Sequence, residues 1–266
     1  MYSFNYHLLK EIEKKQSHLC VGLDINPEGF ENKNVTINDL KTHTEKVISA
    51  TQDLAVAFKP NLGFYERWGS DGFKWLEETM ELFEDNTIVI GDAKRGDIGN
   101  TAEQYAISLF DHFGFDAVTL NPYMGVDSIN PFIKNSKKGA FILCKTSNPS
   151  SINFQNLKLD GSNLYEMVAK KSFEWNEKEN IGLVVGATAP EEILNVRKIA
   201  PGLPLLIPGV GAQGGSLEKS MKNGNKNGKC LINVSRGIIF STDLSEKSIR
   251  NSAKEYVDKM RECIDE

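Results

Sequence analysis

The chain has 266 residues, 40% hydrophobic and 25% charged, with a formal net charge of -5. That length buries a large core and fits one domain of α/β-barrel size spanning residues 1–266. A mildly acidic surface disfavours nucleic-acid partners and no apolar run approaches membrane-spanning length, so a soluble cytoplasmic protein with neither partner is expected.

The N-terminal stretch MYSFNYHLLKEIEKKQSHL mixes acidic and basic residues and has no long apolar run before a cleavage site, unlike a signal peptide. Cys20, Cys144, Cys230 and Cys263 are widely spaced, which argues against a disulfide framework; the first three fall in apolar strand-like runs, where cysteine is a small buried hydrophobe. His7, His18, His43 and His112 lack metal-ligand spacing, so no metal is expected.

Short apolar runs rich in β-branched residues then alternate with helical stripes. A strand at 18–23 leads through a polar connection, 27–38, to a stripe of Ile37, Leu40, Val47 and Ile48. A second strand, 54–59, precedes Trp75, Leu76, Thr79, Met80 and Phe83, and a third, 87–92, precedes Ala102, Tyr105, Ala106, Leu109, Phe110 and Phe113. Strands at 117–121 and 140–145 follow, and the polar connection 147–161 is long enough to cover a site or to be a surface excursion. Strands at 181–186 and 203–208 come next; KNGNKNGK at 222–229 reads as a surface loop before the last strand, 229–234. Ile249, Ala253, Val257 and Met260 return a final helix against the sheet. The strands are nearly continuous apolar runs, as expected when both faces are covered. Eight of them alternating with helices predict a single (β/α)8 TIM barrel, an α/β fold; an open doubly wound sheet is the alternative.

Barrel sites are built at the C-terminal ends of strands, and Asp24, Lys59, Asp92, Lys94 and Lys145 fall at those ends. Converging charges are costly unless paired or used. The densest segment is DAKRGDIGNT, 92–101, where Asp92, Lys94 and Asp97 alternate in sign and Lys59 completes a Lys–Asp–Lys–Asp array. Such an array can deliver a proton from an ammonium and repel an incoming anion. It can equally be a salt-bridge network closing the rim, with Asn100 or Thr101 capping a helix; Arg95 is assigned to an outer salt bridge. PGVGAQGG (208–215) and NVSRGIIF (233–240) follow the last two strands, where barrels commonly bind phosphate, and Arg236 can add a two-pronged contact. Neither is a Walker loop or a dinucleotide fingerprint. A phosphate grip facing an ion array, with no evident metal, nucleophilic triad or organic cofactor, suits a decarboxylation in which carbon dioxide leaves and a proton replaces it. A Schiff-base lysine is normally activated by a lowered pKa, whereas flanking aspartates favour the charged form.

These residues resemble those of the orotidine 5'-phosphate decarboxylases, in their bacterial and protozoal branch. The likeness runs over essentially the whole chain through GLD (22–24), FKPN (58–61), DAKRGDIGNT, TSNP (146–149), PGVGAQGG and NVSRGI. It implies conversion of orotidine 5'-phosphate to UMP and carbon dioxide, the last step of de novo UMP synthesis, with no cofactor. It implies that Lys59, Asp92 and Lys94 act with the partner's Asp97 in an obligate C2 homodimer, Lys94 protonating C6. Ile98 and Thr101 of the partner would line the pyrimidine and ribose parts of the site. Asp24 and Lys59 would bind ribose hydroxyls with Asn61 nearby, and Ser147 and Gln213 would bond the pyrimidine or bridge it to phosphate. Arg236 and the backbone around Gly237 would hold the phosphate, Pro208 would form pocket wall, and 209–215 would be a mobile clamp. Related barrel enzymes, a keto-sugar phosphate decarboxylase or a hexulose phosphate synthase, share the Asp-x-Lys element and commonly need magnesium; the Lys59 array and the Gln213/Arg236 pair favour the nucleotide enzyme. A non-catalytic barrel would bind UMP without turnover. One barrel accounts for the 266 residues, so a fused phosphoribosyltransferase domain is not expected.

Overall fold

Eight parallel strands close on themselves in the computed structural model, which describes residues 2–211 and 214–265. They are β1 (Leu19–Leu23), β2 (Ala57–Pro60), β3 (Ile88–Arg95), β4 (Ala117–Leu120), β5 (Gly139–Lys145), β6 (Ile181–Val185), β7 (Leu205–Pro208) and β8 (Cys230–Val234). Neighbours in sequence are neighbours in the ring, and β8 returns to β1 in the register Leu19↔Ile232, Cys20↔Asn233, Val21↔Val234. That closure leaves the eight-stranded sheet without an edge and decides against the open doubly wound alternative.

The expected helical stripes pack outside the ring. Leu40, Val47, Ile48, Trp75, Leu76 and Thr79 are buried, as are Ala102, Ala106, Leu109 and Phe113. Ile249, Ala253, Val257 and Met260 of the Glu246–Asp265 helix are all 0% exposed, so this one stripe fastens the chain's end to the barrel. Fully burying Ile249, Val257 and Met260 contributes about 1.5–3 kcal/mol each. Tyr105 departs from its stripe: it is exposed, and the Arg95 guanidinium lies over its ring at 5.3 Å. The stretch 222–229 departs too, because the Leu217–Gly224 helix runs into it and leaves a shorter loop. Connection 27–38 holds one 3-10 turn, Pro27–Gly29, before Thr36 and Asp39 cap the Ile37–Thr51 helix reciprocally. Connection 147–161 contains a 3-10 turn, Pro149–Asn153, and the first strand of a small hairpin, Lys158–Leu159 with Ser162–Asn163.

An element not expected from the periodicity closes the bottom of the barrel. The Phe4–Lys15 helix, capped by the Ser3 hydroxyl on the Tyr6 amide, buries Phe4, Leu8 and Ile12 against interior residues including Cys20, Ala57, Ile90, Phe141 and Leu231. Gly139 gives Phe4 its place, since a Cβ there would lie 2.4 Å from the ring. Cys20, Cys144 and Cys230 are buried as expected, and burial pushes each thiol up to about 12. Among the described residues no helix is long and apolar enough to cross a membrane.

Candidate active site

Strand parity builds the site. Cys20, Ala57, Ile88, Ile90, Ala117 and Leu231 face the lumen as an apolar filling. Side chains two residues further along a strand point the same way, so Lys59 follows Ala57, Asp92 follows Ile90, Thr119 follows Ala117 and Asn233 follows Leu231. The lumen therefore changes from apolar to charged at its C-terminal end, where a cavity of about 280 Å³ opens. Its walls are Asp24, Lys59, Asn61, Asp92, Lys94, Thr119, Thr146, Ser147, Pro208, Gly209, Val210, Asn233, Ser235 and Arg236, over Leu143, Val184 and Leu206.

Asp92 is the hub. Its Oδ2 receives the Lys59 ammonium at 2.6 Å and its Oδ1 receives the Lys94 ammonium at 2.6 Å and the Thr119 hydroxyl at 2.9 Å. The Lys59 side chain is 5% exposed and that of Lys94 50%, so one ammonium is sealed in and the other reaches the opening. Burial pushes the Asp92 carboxyl up, but the two ammonium ions and their hydrogen bonds outweigh it and hold the group well below the usual carboxylate range. Burial likewise pushes Lys59 down, and the charges of Asp92 and Asp24 outweigh it and raise the group above its ordinary value. Asp24 Oδ1 and Ser235 Oγ are buried without a hydrogen-bond partner among the described residues, leaving polar capacity on the wall beside Lys59 and Arg236.

Six other expected residues sit where the strand ends place them. Lys94, Asp24, Asn61, Ser147, Pro208 and Arg236 line the cavity with Lys59 and Asp92. Asn61 also caps the Leu62–Glu66 helix through the Gly63 amide, and Arg236 opens the short helix Arg236–Ile239. The β7 and β8 ends lie across the ring from β3 and β4, so Arg236 and the Asp92 cluster face each other across the opening. Arg95 turns outward to Glu66 at 2.6 Å and to the Ala93 carbonyl, the outer salt bridge expected of it.

Other expectations fall elsewhere. Asp97, Ile98 and Thr101 are not among this chain's cavity residues; Asp97 accepts from the Ile98 amide, while Ile98 and Thr101 are exposed on the outer rim. Gly237 lies behind the wall, its missing side chain replaced by the Tyr256 hydroxyl 2.8 Å from where a Cβ would stand. Gln213 lies outside the described residues. Lys145 is withdrawn from the rim: it is 4% exposed and donates to Ser151 Oγ at 2.6 Å, because the β5 register shifts between Leu143 and Lys145. Among the described residues no group of three or more His, Cys, Asp or Glu side chains is placed to hold a metal ion. Thr119, Thr146, Asn233 and Ser235 were not singled out by sequence; inward parity from Ala117 and Leu231 is the signal that locates Thr119 and Asn233.

The family model for orotidine 5'-phosphate decarboxylase / HUMPS matches residues 17–250. An orotidine 5'-phosphate decarboxylase of Dehalococcoides mccartyi is 47% identical over 93% of this chain and 92% of its own length. One from Natronomonas pharaonis is 47% identical over 90% and 89%, so relatives at this level come from both bacterial and archaeal organisms. The solved Leishmania donovani OMP decarboxylase superposes with a TM-score of 0.87 at 38% identity, covering 98% of each chain. With the family model spanning most of the chain, a relative 47% identical over nearly its whole length and a closed ring of eight strands, the chain belongs to the orotidine 5'-phosphate decarboxylase / HUMPS family.

Proposed function

We propose that this protein, as one barrel domain over 1–266, decarboxylates orotidine 5'-phosphate to UMP and carbon dioxide without a metal or organic cofactor. The observation that carries the reading is the Asp92 carboxylate clamped between Lys59 and Lys94 on the wall opposite Arg236. A nucleotide spanning that opening would rest its phosphate on Arg236 and the β7–β8 ends and its base against the charged cluster.

The C6–carboxylate bond breaks heterolytically, carbon dioxide leaves, and the electron pair stays on C6. The Lys94 ammonium stabilises that developing charge and then gives its proton to C6; the amine recovers a proton from solvent, to which its half-exposed side chain has access. Lys59 is already fixed by Asp92, so little reorganisation is needed as charge develops. Asp24, Lys59 and Asn61 would orient the ribose, and Ser147, Pro208 and Gln213 the base.

The fourth charge of the array would come from the partner's Asp97, with the partner's Ile98 and Thr101, in a cytoplasmic homodimer. Supporting this, Asp97 forms no ion pair with Lys94 within its own chain, and Ile98, Tyr123 and Met124 are 50%, 85% and 48% exposed on the same rim. Apolar side chains grouped there suit burial by a second copy.

The test is turnover of orotidine 5'-phosphate by EDTA-treated protein, followed by loss of pyrimidine absorbance. Chelation-resistant turnover supports the reading. Inactivity in a folded dimer, with magnesium-dependent activity on hexulose phosphates, would replace it with the other chemistry of this family.

A further inference from the structure

Between Gly91 and Arg95 strand β3 advances four residues while β4, from Val118 to Leu120, advances two. Two residues of β3 therefore bulge out of the ladder at the point that carries Asp92 and Lys94. Lys94 completes the bulge with φ of +47°, a left-handed conformation that a side-chain-bearing residue adopts only when its surroundings hold it there. A bulged residue also loses its ladder acceptor, so the Lys94 amide must find another.

Thr119 of β4 supplies it. Its Oγ1 accepts the Lys94 N–H at 3.0 Å and, having accepted, sends its own proton to Asp92 Oδ1 at 2.9 Å. That carboxylate oxygen is the one gripped by the Lys94 ammonium. One hydroxyl, on a residue only 2% exposed, thus ties both ends of Lys94, backbone and side chain, to Asp92. We propose that Thr119 is a positioning residue for the decarboxylation, its hydroxyl holding the left-handed turn that aims the Lys94 ammonium. This rests on the reading of Lys94 as proton donor.

Thr119→Val keeps the shape and removes the hydroxyl; Thr119→Ser keeps the hydroxyl and removes the methyl. With orotidine 5'-phosphate, Thr119→Val should lose about a hundredfold in kcat, as misplacement of a reacting group by about an ångström does. Its KM should stay within about threefold, because the phosphate contacts lie across the barrel. Thr119→Ser should remain within about threefold of the parent in both. A second readout needs no turnover: in the unliganded protein the Lys94 amide hydrogen should exchange at least about tenfold faster in Thr119→Val and at the parent rate in Thr119→Ser. Unchanged kcat in Thr119→Val, or an equal loss in both variants, would overturn the proposal. Should Thr119→Val not fold, fast Lys94 amide exchange in the parent would overturn it just as well. Failure of the parent to decarboxylate the nucleotide would sink the proposed function, while the exchange data would still decide whether the clamp exists.

Discussion

Replacing Asp92 by asparagine keeps the side chain's shape and removes the charge between the two lysines. The Lys59 ammonium is sealed beneath it, and removing one partner of a buried pair costs about 3–5 kcal/mol. The Lys94 contact adds little, since a pair with a half-exposed lysine is worth about 1 kcal/mol at most. A loss of about 4 kcal/mol is therefore expected, nearly all through Lys59. The pH dependence should change sign as well. In the parent, the carboxylates raise Lys59 above its ordinary value, so the pair's stabilisation is complete below about pH 10.5 and is lost as pH rises through the folded value. In Asp92→Asn, burial prevails over Asp24 alone and Lys59 falls below its unfolded value. The unfolded chain then binds more protons, so stability climbs with pH, by up to about 1.4 kcal/mol per unit. Urea unfolding at pH 7, 8 and 9 measures both effects, and Lys59→Met/Asp92→Asn should regain part of the loss. A variant within about 1 kcal/mol of the parent, with the same flat pH response, would refute the reasoning.

Mixing inactive Lys59→Met with inactive Asp97→Ala should restore about a quarter of parent activity, because half of randomly exchanged dimers carry one intact site of two; no recovery after confirmed subunit exchange would contradict a shared site. Arg236→Ala should raise KM for orotidine 5'-phosphate by about ten- to a hundredfold and leave turnover of phosphate-free orotidine unchanged, from the loss of a charged hydrogen bond or two. His43 donates to the Ile239 carbonyl at 2.6 Å and is lowered from 6.5 by burial, so stability should be flat above pH 6.5 and fall below it as the unfolded chain takes up the proton first. That decline, read from urea midpoints, should shrink in His43→Gln. Arg197 is 1% exposed and donates to the carbonyls of Leu203, Gly224 and Lys229; Arg197→Met should cost about 3 kcal/mol in urea unfolding and spare KM.

The barrel was legible because both-face burial leaves a strong mark: each strand is an apolar run, and each starts and ends within three residues of its expected position. Closure was inferred from the number of strands, and the β8–β1 register supplies what spacing alone could not. The Phe4–Lys15 helix was missed although Phe4, Leu8 and Ile12 share one face, because six of the nine residues of HLLKEIEKK are charged or histidine and the segment reads as surface. At the site, Asp24, Lys59, Asp92 and Lys94 were found because charge stands out against the apolar strands that precede it. Thr119 and Asn233 were not, since an uncharged polar residue inside a strand becomes significant only once the lumen-facing parity is known. Lys145 shows the converse: a charge at a strand end that a register shift turns away from the rim. Asp97 stood out by its charge in the 92–101 segment, whereas its assignment to the partner's site, with Ile98 and Thr101, came from family resemblance; geometry within one chain places all three outside the cavity.

The most direct test of the account compares the parent protein with Lys94→Ala on orotidine 5'-phosphate, monitored by pyrimidine absorbance, with thermal unfolding of both in parallel. The account expects chelation-resistant turnover in the parent and a loss of at least about 10²–10⁴-fold in the variant, the contribution of a positioned proton donor, with the fold intact. Comparable turnover in the folded variant would contradict the assignment of Lys94 as the group that protonates C6.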